Sequence, residues 1–207
     1  MITINRFEHS DFTSNTYLIR HQLFNDNVYL IDAGNSQEVL DALKPNQKVK
    51  GIFLTHAHFD HICGINNIID RFPECIVYCS EYAHTGLLSE KLNLSFYHLE
   101  PIVFKGDNVS LIFEGMSIEL FTNCHLKVLE TTGHNKGSLS FIINDGIFTG
   151  DALIPGIPVV TKLKSGNKED AKKSIQLIYQ LLRPEQVIYP GHGPIFKNSE
   201  IDWSLFN

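Results

Sequence analysis

The sequence predicts an α+β chain of two mixed β-sheets packed together with helices on the outside. Three observations carry that expectation. Short apolar or alternating runs, each bounded by Gly, Pro, Asn or Asp, recur along most of the chain. Helical spacing of apolar residues occurs only at intervals between them. The order runs strand-rich, helix, strand-rich, helix, which hints at two similar halves.

Residues 2–7 and 16–20 have strand character, and Val28-Tyr29-Leu30-Ile31 reads as a buried strand closed by the turn residues Asp32-Ala33-Gly34. Ser36 is placed to cap a helix over 37–43 that stops near Pro45. The apolar run 51–54 is a further buried strand, and Ile62, Ile65, Ile68, Ile69 and Phe72 then keep helical spacing. Residues 75–79 are again strand, and Ser80 caps a helix reaching toward Leu88. Weak periodicity and Pro101 make 93–106 a surface loop beside the active site. From Val109 the chain turns β-rich, with strands over 109–113, 116–121, 127–130, 139–143 and 146–149. Asn144-Asp145-Gly146 is a hairpin signal between the last two. Residues 168–182 form the one long amphipathic helix, with Ala171, Ile175, Ile178, Leu181 and Leu182 inward and Pro184 ending it. A final strand, 186–189, runs into Pro190-Gly191-His192-Gly193-Pro194.

Composition narrows the function classes. The 207 residues suit one compact domain over 1–207, and 43% hydrophobic against 19% charged residues supply a large core. A net charge of −6, with no basic stripe, argues against a nucleic-acid partner. No stretch approaches ~18 consecutive apolar residues, so no membrane span is expected. The N-terminus lacks the pattern of a signal peptide, and the expected location is cytoplasmic. Cys63, Cys75, Cys79 and Cys124 fit that compartment as reduced, mostly packing thiols, with Cys63 close enough to the motif below to be oxidised or to compete as a ligand.

The densest chemistry lies in Thr55-His56-Ala57-His58-Phe59-Asp60-His61, between a strand end and a helix start. In an extended loop, residues two apart point to the same side, so His56 and His58 can grip one ion. Asp60 continues that line, while His61 is expected to face away and serve a second ion. Zinc suits imidazole and carboxylate donors, and a catalytic zinc keeps a position for water. Three further stretches repeat the form of a strand end followed by a donor in a glycine-marked turn: His134 in TTGHNKGS, Asp151 in TGD and His192 in YPGHGP. Together they make seven donors, five imidazoles and two carboxylates, a set that suits two ions with an open bridge. His9, His21, His84, His98 and His125 are assigned no chemistry.

With HAHFDH, TTGHNKGS, TGD and YPGHGP on view, together with Ser14-Asn15-Thr16-Tyr17 and Asp32-Ala33-Gly34, the chain resembles the metallo-β-lactamase fold superfamily, and within it the small glyoxalase II-like hydrolases. The resemblance implies a four-layer αββα sandwich with the metals at one edge between the sheets. It implies that His56, His58 and His134 hold one metal, that Asp60, His61 and His192 hold the other, and that Asp151 bridges them. Asp32 matches the family's acidic residue that orients the side chains holding the metals. Thr132, Lys136 and Cys63 depart from the family pattern without removing a ligand. Fifteen residues follow His192, so the added helical domain with which glyoxalase II enzymes bind glutathione is not expected here.

The expected chemistry is hydrolysis of a small thioester or ester by a hydroxide bridging two Zn²⁺, with iron or manganese as alternative metals and Asp60 as the residue that orients the nucleophile and takes its proton. Lys162 and Lys164 are either a solvated face or the rim that attracts an anionic small-molecule substrate. A rival reading makes His56, His134 and Asp151 a triad for one Fe(II), as in the persulfide dioxygenases of the same superfamily, which the chain also resembles. A nuclease is disfavoured by the acidic balance, and a metal-binding protein without turnover by the complete ligand set.

Overall fold

The computed structural model describes residues 1–24 and 26–206, and the chain divides into two compact units, Met1–Ile112 and Phe113–Asn207. In the first unit the strands are β1 (Ile2–Glu8), β2 (Asn15–His21), β3 (Asn27–Ile31), β4 (Lys48–Phe53), β5 (Ile76–Cys79) and β6 (Val109–Leu111). They form one sheet in chain order. Its first two pairings are antiparallel and the next three parallel, so the sheet is mixed. The parallel strands explain the unbroken apolar runs: Val28, Leu30, Ile52 and Val77 are fully buried and pack with Val39, Ile65, Ile68 and Leu87 from the helices.

Those helices are α1 (Ser36–Ala42), α2 (Phe59–Ile62), α3 (Ile65–Arg71) and α4 (Glu81–Leu87). The cap of α1 is Asn35, whose side chain accepts from the Glu38 N–H at 3.2 Å, and Ser36, expected to cap, is the first helical residue instead. Ser80 caps α4 as expected, accepting from the Ala83 N–H at 3.1 Å. The single helix expected after the histidine loop is two, broken at Cys63-Gly64. A side chain at Gly64 would stand 2.6 Å from the Ser36 Cβ, so the chain passes too close to α1 there to carry one.

In the second unit the strands are β7 (Ser117–Phe121), β8 (Cys124–Glu130), β9 (Leu139–Ile143), β10 (Gly146–Gly150), β11 (Val187–Pro190) and β12 (Phe196–Lys197). Their order across the sheet is β12-β11-β10-β9-β8-β7. Among the described residues of this sheet, β10 and β11 pair in parallel and the other neighbours antiparallel. The hairpin joining β9 to β10 turns at Asn144, at φ +52°. Helix α5 (Lys168–Leu181) is capped by Asn167, which accepts from the Glu169 and Asp170 N–H groups. Ala171, Ile175 and Ile178 are buried on its inner side. Leu181, expected inward, is 43% exposed, because the 3.6-residue period continues the stripe to Leu182 instead. The fold class is the expected one: two mixed sheets with helices.

Candidate metal centre

In the first unit, the end of β4 delivers Thr55, His56 and His58 into the turn that opens α2. His56, His58 and His61 are all buried, between 0% and 5% exposed. The ring of His56 lies 4.5 Å from that of His58 and 4.3 Å from that of His61. His61 therefore does not face away: residues 59–62 are helical, and the His61 N–H bonds the His58 carbonyl at 3.0 Å, which brings its ring back toward His56. Asp60 is partly exposed, with a carboxylate oxygen 3.6 Å from His61 Nε2.

Asp32 closes β3 in the left-handed region, at φ +58°, a conformation that short polar side chains tolerate. That twist turns a fully buried carboxyl group onto the histidine loop. One oxygen accepts the Thr55 N–H and the other accepts the Thr55 hydroxyl and His61 Nδ1, all at 2.8 Å. Burial pushes the Asp32 carboxyl above its ordinary range, and His61 and the two Thr55 donors pull against that shift. Cys63 lies two residues beyond His61, and its thiol donates to the Gly34 carbonyl at 3.2 Å. Burial first, and the Asp60 charge second, push it to about 11, so at neutral pH it is a packed thiol.

The second unit gathers the other three donors. The parallel neighbours β10 and β11 end together, with Gly150 opposite Pro190, so Asp151 and His192 leave adjacent strand ends. One Asp151 oxygen stands 3.5 Å from His134 Nε2 and 3.6 Å from His192 Nε2. Gly133, at φ +132°, sets the turn carrying His134, and a Cβ on it would stand 2.3 Å from the backbone of Ala171. The Asn167 N–H ties down the Gly133 carbonyl at 2.7 Å, so the cap of α5 and the His134 turn hold each other. His134 Nδ1 bonds the Val160 carbonyl at 2.9 Å. Lys162 and Lys164 follow two and four residues later with exposed side chains.

The donor chemistry fits a divalent cation. A carboxylate and a carbonyl only accept, so His61 and His134 each place their proton on Nδ1 and present Nε2 as a lone pair. Ligand atoms ~2.1 Å from a tetrahedral ion stand ~3.4 Å apart, close to the separations of 3.5–3.6 Å found here between imidazole nitrogens and carboxylate oxygens. Hydrogen bonds would be shorter, near ~2.9 Å. Thr55 stands between Asp32 and His56, a role the sequence does not assign, since its one signal is a hydroxyl at the head of the histidine stretch.

Among the described residues, no helix is long and apolar enough to cross a membrane. Comparison with known proteins places the chain. The family model of the metallo-beta-lactamase superfamily matches residues 9–192. A probable metallo-hydrolase of Streptococcus pyogenes serotype M6 is 34% identical over 86% of this chain and 78% of its own length. A hydroxyacylglutathione hydrolase of Shewanella pealeana is 32% identical over 74% of this chain, which spans 51% of that relative. Among solved structures, the B3 metallo-beta-lactamase BLEG-1 superposes with a TM-score of 0.84 at 25% identity, covering 94% of both chains. The chain belongs to the metallo-β-lactamase superfamily and has its fold.

Proposed function

We propose that residues 1–207 act as one catalytic domain, a metal-dependent hydrolase of a small thioester or ester with a two-ion centre. In this reading His56, His58 and His134 hold one ion, Asp60, His61 and His192 hold the other, and Asp151 is shared. The observation that carries it is the spacing of 3.5–3.6 Å between imidazole nitrogens and carboxylate oxygens within each unit. The family match, which spans all seven donors, adds to it. A bound pair of divalent cations supplies a water that ionises near neutral pH and a positive centre for a carbonyl oxygen.

The chain's own groups do the rest. Asp60, the partly exposed carboxylate, orients the attacking water and takes its proton. Asp32 keeps the His61 ring in register, and the Val160 carbonyl does the same for His134. A thiolate leaves without needing a proton, which matches a donor set with no dedicated acid, and the hydroxyacylglutathione hydrolase relative supports the same substrate class. In this reading Lys162 and Lys164, both exposed, attract an anionic end of the substrate.

The test is elemental analysis of protein purified without added metal, followed by a panel of thioester, lactone, β-lactam and persulfide substrates. The expected result is two equivalents of zinc, iron or manganese and thioester hydrolysis that Asp60→Ala abolishes; activity retained in Asp60→Ala with full metal content would refute the role given to Asp60. One iron per chain with oxygen uptake on the persulfide would replace this reading by the dioxygenase one, built on His56, His134 and Asp151.

A further inference from the structure

The hydrogen bonds around Thr55 form a directed chain within the first unit. Its hydroxyl has one proton. The Thr55 N–H and hydroxyl each donate to one oxygen of Asp32, and His61 Nδ1 lies 2.8 Å from the oxygen that takes the hydroxyl. The Thr55 hydroxyl proton therefore goes to Asp32, at 2.8 Å. The same hydroxyl oxygen lies 3.1 Å from His56 Nδ1 and, its proton spent, meets that ring as an acceptor. His56 then carries its proton on Nδ1 and presents Nε2, as His61 does through its direct bond to Asp32.

We propose that Thr55 is a positioning residue that extends the reach of Asp32 from one imidazole to two, so that a single buried carboxylate sets which nitrogen His61 and His56 each present. The inference rests on the two-ion reading above for its consequence, since His61 and His56 are there assigned to different ions. The hydrogen-bond chain itself stands without it. The arrangement is rigid because Thr55 is 2% exposed and its backbone N–H is held by the other oxygen of Asp32. A side-chain substitution leaves that backbone bond in place.

The test compares wild type with Thr55→Val, which keeps the shape and removes the hydroxyl, and Thr55→Ser, which restores it. In metal-free protein, nitrogen-15 NMR of the histidine rings reads the tautomer directly and needs neither activity nor metal. The expected wild-type spectrum has the proton on Nδ1 of both His56 and His61. Thr55→Val should mix the tautomers of His56 alone, and weaken zinc binding about 10–100-fold in chelator competition, the range for loss of a group that orients a ligand. Thr55→Ser should return both to wild type. A wild-type His56 protonated on Nε2 would overturn the proposal, even if the Val variant failed to fold. So would a folded Val variant with unchanged tautomer and affinity. If the tautomers behave as expected but wild type takes up no metal, the two-ion reading fails and the positioning role of Thr55 survives it.

Discussion

Asp32 shows how a single residue joins backbone conformation to chemistry. Its φ of +58° is open to Asp and Asn and strained for most other side chains. Its carboxylate meets His61 and Thr55 only because the chain twists there. Asp32→Asn keeps the left-handed conformation and an acceptor oxygen but loses the charge, and its amide nitrogen would place hydrogens against one of the present donors. The variant should fold, with its circular dichroism unchanged, and bind zinc about 10–100-fold more weakly. Equal affinity in chelator competition would show that the charge does not matter to His61. The sequence made this residue legible as an acid after a buried strand, but not its link to His56. That link depends on a 3.1 Å contact through Thr55, which no spacing rule encodes.

At the scale of elements, the histidine loop is held by close approach. The Ala33 N–H bonds the His61 carbonyl and the Gly64 N–H bonds the Ala33 carbonyl, both at 2.8 Å, so the end of β3 is laced to α2. Gly34 lets the two backbones meet: a Cβ there would stand 2.1 Å from the Asp60 carbonyl oxygen, which accepts the Ser14 hydroxyl at 2.7 Å. Gly34→Ala must push α2 away from β3. It should cost about 1–3 kcal/mol, typical of overpacking against groups that cannot yield, and should weaken metal binding with it. Denaturant unfolding and chelator competition on the same variant check both halves, and a loss of stability with full affinity would separate the lacing from the site. Most strands, helix α5 and the Ser80-capped helix α4 were legible because period and cap chemistry are local, whereas the short strand β12 and the Asn167 cap of α5 were not read from the sequence. The break between α2 and α3 and the return of the His61 ring toward His56 were not, since both follow from how near one segment passes to another.

For the molecule as a whole, the buried thiols give a pH signature that does not depend on the metal. Cys75 and Cys79 flank or lie in β5, at 1% and 0% exposure, and burial pushes both from 9.0 up to about 12. A raised folded value means the folded state holds its proton more tightly than the unfolded chain. The stabilising contribution is then fully present below pH 9, where both states are protonated, and is lost as pH rises toward about 12. In that window the unfolded chain ionises its thiols while the core of the first unit keeps them neutral. The double variant Cys75→Ala, Cys79→Ala lacks these protons. Its Tm should lie below wild type at pH 7, because small cavities replace the sulfurs. The gap should narrow as pH rises from 9, because only wild type loses the linked term. Tyrosine and lysine ionisation away from β5 affects both proteins alike. Tyr78, raised by burial and then by Cys75, and Lys50, whose charge acts on Cys75, are coupled to the pair, so the difference between the two Tm curves reads the thiols together with these two neighbours. Parallel curves up to pH 11 would mean that the thiols ionise as readily in the folded core as in the unfolded chain, and that β5 opens to solvent well below the global transition.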